Sequence, residues 1–393
     1  MALDAWVVDA VRTAIGRFLG GLAGKTAVEL GTSAVKGLFE RTRFPADRVD
    51  EVIIGVGRQA GMGPNPARQI AYRAGIPEEV PAYTVNQACG SSLKALILAT
   101  QAIRLGDADA LIIGGTESMS RVPFMTESIR FGLRLGHKRL DDGMYRDGFM
   151  CPIAEMLMGE TAEVLAKERG ITREQADEYA VRSHNRAETA QQSGTFGDEI
   201  VQVEATDEKG KPTIVREDEH IRKGTNLEKL AQLAPVFAKD GTVSAGNASG
   251  ITDGASAALV ISEGLGRELG LTPLAVVGDY SAAGVSAKRM GIAPVPALRK
   301  LYERTGTTME SWQLYELNEA FATQVLAVLQ DIPIPADRLN VNGGAIALGH
   351  PIGCTGARIV VTLLHEMRRR DLKSGIATLC ISGGQGLAVG FAR

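Results

Sequence analysis

Residues 85–115 read VNQACGSSLKALILATQAIRLGDADALIIGG, and three structural signals follow one another in them. An extended segment stops at Cys89. The stretch 91–105 then sets Leu93, Leu96, Ile97 and Ile103 near one face of a helix. Ala110-Leu111-Ile112-Ile113 is an apolar run too short for a helix, and Gly114-Gly115 follows it, so it reads as a buried strand entering a glycine turn. Strand, helix and strand in succession are the unit of an α/β protein. The same grammar recurs outward. Val52-Ile53-Ile54 ends at Gly55, and Gln313 to Leu317 has strand character. Ile376 to Ile381 has it too, ending in Ser382-Gly383-Gly384. Each half runs strand, polar loop, helix, strand, glycine turn, which suggests a duplication, although any α/β chain yields some such rhyme.

The middle differs in texture. From about 120 to 248 the chain is richer in charge, Met and Arg and poor in strand-like runs, as an insertion on the first half would be. Its clearest element is a helix over 173–192. Thr172 and Gln175 form a capping box, Ala176, Tyr179, Ala180, Ala187 and Ala190 give a narrow apolar face, and Ser193-Gly194 closes it. Glu208-Lys209-Gly210-Lys211-Pro212 reads as a surface turn.

Composition bounds the class. The chain has 393 residues, enough for two or three domains, and a chain of that length buries about 75% of its unfolded surface without disulfides or metals. Lys and Arg number 43 against 46 Asp and Glu, a balance that argues against a nucleic-acid binder. No continuous apolar stretch reaches membrane-spanning length, and the acid at Asp4 with no apolar run after it does not fit a signal peptide. The expectation is a soluble cytoplasmic protein. Glycine supplies 46 residues, an excess that suits tight turns and close backbone approaches to a ligand. The cysteines Cys89, Cys151, Cys354 and Cys380 have no metal-knuckle or CxxC spacing, so no metal site and no disulfide is expected.

Four segments could carry chemistry. Cys89 stands where a helix starts, and unpaired N–H groups there lower a thiol's pKa toward the nucleophilic thiolate. Five glycines bracket His350 in NVNGGAIALGHPIGCTGAR, residues 340–358, a loop that holds an imidazole on a rigid backbone with little bulk around it. His137, His184, His220 and His365 have charged or polar neighbours and are expected in solvent, which leaves His350 as the best base. Cys380 ends a strand that turns through glycines, whose backbone N–H groups can build an oxyanion hole. Glu316-Leu317-Asn318-Glu319-Ala320-Phe321-Ala322 sets an amide and a carboxylate at another strand end, where a helix start is the commoner explanation.

In this order and spacing the four segments resemble the thiolase family, and the resemblance covers the chain. Arg12-Thr13-Ala14-Ile15-Gly16 is similar to the family's opening, and Ala245-Gly246-Asn247-Ala248-Ser249-Gly250 with Asp253-Gly254-Ala255 to its pantetheine loop. The resemblance implies an α/β fold with a duplicated five-layer αβαβα core and an inserted loop domain: residues 1–119 with 249–270 as one half, 120–248 as the substrate-covering insertion, and 271–393 as the other half. It implies a homo-oligomer, a dimer or tetramer, that takes acyl-CoA as substrate and keeps no permanently bound cofactor. Cys89 would carry the acyl group, His350 take its proton, and Cys380 move the proton of the acetyl-CoA methyl. His350 with a water on Asn318 would serve one oxyanion, and the N–H groups of Cys89 and Ser382 the other. Arg222, Ser249, Phe237, Ala245, Gly246, Met158, Met290 and Phe321 match CoA or acyl contacts. Of the local cations, Arg222, Lys223, Lys229 and Lys239, a solvated face is the lesser alternative for Lys223 and Lys239.

Four positions depart from the family pattern. Ser382 replaces a usual Gly, so the second oxyanion hole requires a negative φ there. Ser92 replaces another. Leu157 stands where acetoacetyl-specific members often have a histidine, and Lys229 where a small polar residue is common. The implied reaction is the interconversion of two acetyl-CoA with acetoacetyl-CoA and CoA; a broader 3-ketoacyl-CoA thiolase is the alternative. A decarboxylating condensing enzyme would need His or Asn in place of Cys380, and a non-catalytic acyl-CoA or lipid carrier would not need Cys89, His350 and Cys380 together.

Overall fold

In the computed structural model, which describes residues 4–206 and 211–393, the strand signals converge on one large sheet. Glu208-Lys209-Gly210 of the expected surface turn lies outside the described residues. The main strands are β1 (Ala5–Thr13), β2 (Glu51–Gly55), β3 (Ala82–Val85), β4 (Ala110–Ser118), β5 (Thr252–Ser262), β6 (Ala275–Gly284), β7 (Leu314–Leu317), β8 (Ser374–Ile381) and β9 (Gln385–Ala392). They lie in the order β7-β8-β9-β6-β1-β5-β4-β2-β3. The helices that cover them are α1 (Ala27–Thr42), α2 (Pro66–Arg73), α3 (Ser91–Leu105), α4 (Met158–Arg169), α5 (Arg173–Gln192), α6 (Pro294–Thr305), α7 (Ala322–Asp331) and α8 (Ile352–Arg369).

The order is the same motif written twice. In the first half β4 is parallel to β2 and antiparallel to β5, which is antiparallel to β1. In the second, β8 is parallel to β7 and antiparallel to β9, which is antiparallel to β6. Leu339 bridges Tyr315 in parallel where β3 flanks β2 in the first half. The registers also match: Gly55 pairs with Gly115 and Glu117 with Gly254, as Leu317 pairs with Thr378 and Cys380 with Gly386. The duplication suggested by spacing is therefore visible in the hydrogen bonding. The antiparallel pair β1–β6 joins the halves edge to edge.

Side chains explain why these strands are almost uniformly apolar. Ile53, Leu111 and Ile113 face a core shared with α3 and α8, while Val52, Ile54, Ala110 and Ile112 face a core shared with α1 and α2. Both faces are covered, so alternation gives way to continuous hydrophobicity. On the far side Tyr315, Leu317 and Ile376 pack with α6 and α7. Helices, sheet, the α3–α8 pair, sheet and helices make the five layers. One expectation fails here. Gly114-Gly115 is not a turn, because β4 runs through it to Ser118. A Cβ on Gly114 would overlap the Ser256 carbonyl oxygen and one on Gly115 that of Gly353, so these glycines serve close approach of backbones.

Residues 119–251 run between β4 and β5, and of the described residues among them only Ile200–Val201 joins the large sheet, beside β1. Helix α5 has the expected Thr172–Gln175 capping box. A buried charge cluster ties this segment to the core. Arg12 is fully buried and donates to Glu199 at 2.8 Å and to both oxygens of Asp218 at 2.7 and 2.9 Å, with its guanidinium over Phe196. With each donor matched the cluster is satisfied, whereas loss of Arg12 alone would strand two buried carboxylates.

Candidate active site

Cys89 sits at the sharpest bend of the first half. Between β3 and α3 the chain turns through Ala88, which adopts φ +46°, a conformation costly for a residue with a Cβ. The turn is held by local bonds. The Ala88 N–H donates to Asn86 Oδ1 at 2.9 Å, and the Ser91 hydroxyl donates to the Ala88 carbonyl at 2.7 Å. The Cys89 thiol is thereby presented to a cavity of about 1230 Å³, which His350, Cys380 and Ser382 also line.

His350 occupies the matching place in the second half, two residues before α8 as Cys89 is two before α3. Gly349, at φ +104°, turns the chain so that the His350 N–H reaches the Gly250 carbonyl at 3.0 Å. The imidazole Nδ1 lies 2.6 Å from the Thr355 hydroxyl, which itself donates to the Pro351 carbonyl at 3.0 Å. Thr355 therefore accepts from Nδ1–H, and Nε2 is left with a lone pair and no partner among the described residues. Burial, with Arg358 and Arg58 adding to it, draws the His350 pKa down to about 3. The group is a neutral base.

The thiols behave differently from the sequence expectation. Burial pushes the Cys89 pKa up, opposed by the Ser382 N–H, the Arg58 charge and its own N–H. The helix start does not leave a free thiolate, so the proton must be taken during reaction. Burial also raises the Cys380 thiol, and a charge on Cys89 would raise it more, so the two sulfurs disfavour simultaneous ionisation. Ser382 has no positive φ; Gly383 and Gly384 take the left-handed turn at +85° and +86°. Its N–H favours the Cys89 thiolate.

Asn318 is buried beside β7 and stands outside the lining, with both amide atoms lacking a partner among the described residues. Glu319 is an anchor: it accepts from Tyr179, Ser183, Asn340 and the Ile346 N–H. Neither opens a helix, since α7 begins at Ala322. Among the expected CoA contacts, Arg222, Ser249, Ala245 and Phe237 line the cavity, as do Met158, Met290 and Phe321. Phe237 meets Phe321 edge to face at 6.4 Å. Gly246 does not line it and packs against Leu230 and Leu233. Lys223, Lys229 and Lys239 are exposed and stand outside the lining, so Arg222 is the one expected cation on the wall.

Three histidines were misread as solvated. His184 is 1% exposed because it shares the α5 face of Ala180 and Ala187, and it accepts the Arg222 N–H. His365 lies inside the central helix layer and donates to the Ala10 carbonyl. His220 is half-buried on the cavity wall, its pKa lowered by burial to about 4. His137 is exposed.

Sequence reasoning also missed the residues that hold the two halves in register at the site. Glu117, fully buried, accepts the N–H groups of Gly57, Arg58 and Gly353. The Ser92 hydroxyl donates to the Cys354 carbonyl at 3.1 Å and accepts the Ala357 N–H at 2.8 Å, which stitches the first turn of α3 to that of α8. An acid at the end of an apolar strand was the available signal for Glu117.

Comparisons with known proteins cover the whole length. The family model described as "Thiolase, N-terminal domain" matches residues 5–264, and "Thiolase, C-terminal domain" matches 271–393. A Pseudomonas aeruginosa protein named acetyl-CoA acetyltransferase is 50% identical over 390 residues, 99% of each chain. One of the same name from Escherichia coli K12 is 48% identical over 388 residues, 98% of each. The crystal structure of the Bacillus anthracis acetyl-CoA acetyltransferase superposes with a TM-score of 0.97 at 43% identity, covering 100% of this chain and 99% of that one. Human mitochondrial 3-ketoacyl-CoA thiolase in complex with CoA gives 0.96 at 40% identity with the same coverage.

Proposed function

The chain belongs to the thiolase family, and from that premise we propose that it is an acetyl-CoA C-acetyltransferase, interconverting two acetyl-CoA with acetoacetyl-CoA and CoA through an acyl-cysteine. The supporting observation is the meeting of a thiol, a neutral imidazole with a free Nε2 and a second thiol on one cavity.

In the proposed sequence His350 Nε2 takes the Cys89 proton as sulfur attacks the thioester or keto carbon; from the thioester CoA departs as a thiolate, which needs no acid to leave and then takes the Cys380 proton. The developing oxyanion is met by the N–H groups of Cys89 and Ser382, donors whose loss typically costs on the order of 100-fold in rate. In the synthetic direction Cys380 removes a proton from the methyl of the second acetyl-CoA. His350, now carrying a proton at Nε2, and the amide of Asn318 through a water stabilise the enolate oxygen. The carbanion then attacks the acetyl carbon on Cys89. Residues 120–248 cover the substrate, with Ser249 and Ala245 along the pantetheine arm and Arg222 toward the nucleotide. No resident cofactor or metal is proposed.

Leu157 favours a second reading, a 3-ketoacyl-CoA thiolase of broader chain length, because it leaves an apolar wall where a polar side chain would restrict the acyl group. Thiolysis rates across 3-ketoacyl-CoA chain lengths test both. Turnover confined to acetoacetyl-CoA favours the first reading, a broad profile the second, and no turnover overturns both.

A cytoplasmic homo-oligomer, a dimer or tetramer, is also proposed. Among the described residues no helix is long and apolar enough to cross a membrane. The segment 124–140 exposes large apolar side chains, Phe131 by 87% and Leu135 by 94%, which suits contact with further copies. Light scattering at micromolar concentration is expected to give a mass above the monomer. A fully active monomer overturns this.

A further inference from the structure

The cavity wall holds a cation that the proposed reaction does not use. Arg58 follows β2, and its side chain is 2% exposed. Nε, Nη1 and Nη2 all lack hydrogen-bond partners among the described residues. The guanidinium is held without hydrogen bonds: it lies over the Phe149 ring, 5.1 Å from the centroid, and a Cβ on Gly148 would overlap it. Glu117 is the nearest large influence on its charge, yet that carboxylate already accepts three backbone N–H groups. Asp147 and Asp142 act on it without hydrogen bonding. Five buried donors on a group that keeps its proton are costly unless something accepts from them.

The acyl part of a substrate can supply the accepting group. Arg58 is close enough to Cys89 and His350 to influence the ionisation of both. The phosphates of CoA are separated from the thioester carbon by the whole pantetheine arm, so with that carbon at Cys89 they cannot also reach Arg58. A guanidinium fork matches a carboxylate with two parallel hydrogen bonds.

We propose that Arg58 is a specificity-determining residue at the acyl end of the cavity, and that it admits a further substrate class, 3-ketoacyl-CoA thioesters whose acyl chain ends in a carboxylate. The inference rests on the thiolase reading and deepens it. Cys89 sulfur bonds to the keto carbon, the bond between that carbon and the methylene breaks, and its electron pair takes a proton from Cys380 to give acetyl-CoA. The thiol of a second CoA gives its proton to Cys380 and attacks the acyl carbon, the acyl group leaves as the carboxylate-ended CoA thioester, and Cys89 recovers from His350 the proton it gave up on attack. The terminal carboxylate is unchanged throughout and binds only to Arg58.

The test uses matched pairs of 3-ketoacyl-CoA thioesters with six- and eight-carbon acyl chains, one member of each ending in methyl and the other in carboxylate. For the wild type, kcat/KM is expected to favour the carboxylate member of at least one pair by on the order of 100-fold, the discrimination of a site whose buried donors go unmet by the analogue. In Arg58→Leu that ratio should fall to one or below, and Arg58→Lys should restore part of it. Equal kcat/KM within both wild-type pairs overturns the proposal whether or not the variants fold. A loss in Arg58→Leu that is uniform over all thioesters, acetoacetyl-CoA included, also overturns it, because Arg58 would then act on Cys89 and not on the tail. A wild type that cleaves no 3-ketoacyl-CoA at all counts against the thiolase reading itself.

Discussion

Exposed to acetyl-CoA, the Cys380→Ala protein gains one acetyl group and goes no further, whereas Cys89→Ala gains none. This outcome follows from the proposed division of work between two thiols that share one cavity. Acylation needs a sulfur, a base for its proton and donors for one oxyanion, all available from Cys89, His350 and the Ser382 N–H. Condensation needs in addition a group to take a proton from the methyl of the second thioester. Burial and the neighbouring sulfur hold the Cys380 thiol strongly protonated. It can take up that role only while Cys89 is acylated and carries no charge. Loss of a general acid or base costs about 10²–10⁴-fold in the step it serves, so Cys380→Ala should be slowed by that factor in condensation and little in acetylation. Intact-protein mass spectrometry reads the first step, and hydrogen exchange from deuterated acetyl-CoA the second. Normal exchange in Cys380→Ala, or a folded variant that cannot be acetylated, removes Cys380 from the role.

Acylation of the wild type should show no acid limb near pH 6.5. Free histidine protonates there, but burial holds His350 neutral down to about pH 3. The rate should thus stay level from pH 7 to about pH 5, and His350→Asn should lose about 10²–10⁴-fold. Thr355→Val removes the acceptor that fixes Nδ1–H, which lets the proton move to Nε2 and lowers the population of competent base. An intermediate loss in kcat/KM is expected, with Thr355→Ser retaining most of the rate. A tenfold fall per pH unit below 6.5 in the wild type would contradict the assignment. The same depressed pKa has a sign for stability. Below pH 6.5 the unfolded chain takes a proton that native His350 refuses, so its contribution is present above that pH and lost as pH falls toward 3.

The strands and central helices were legible because both faces of the sheet are covered, and periodicity then reports burial directly. Cys89, His350 and Cys380 were legible because each sits where an element starts or ends among glycines. Most of what failed concerned side chains judged from neighbours along the chain. His184 has polar neighbours in sequence and alanines on its helix face. Gly114-Gly115 looked like a stop, because a glycine needed for close contact is indistinguishable in sequence from one needed for a turn. The helix start at Cys89 does favour its thiolate, but burial, invisible until the third dimension is known, outweighs it. Thr355, Glu117 and Arg58 are defined by partners, or by the lack of them, across long sequence separations.

The matched registers of the two halves place Cys89 and His350 at equivalent positions, and Glu117 and Cys380 likewise. A pair of identical half-chains would present the same residue twice around the axis, two cysteines or two histidines, two acids or two thiols, and never one of each. The reaction needs a nucleophile facing a base and a proton carrier facing a structural anchor. Because both halves lie on one chain, the two members of each pair can differ.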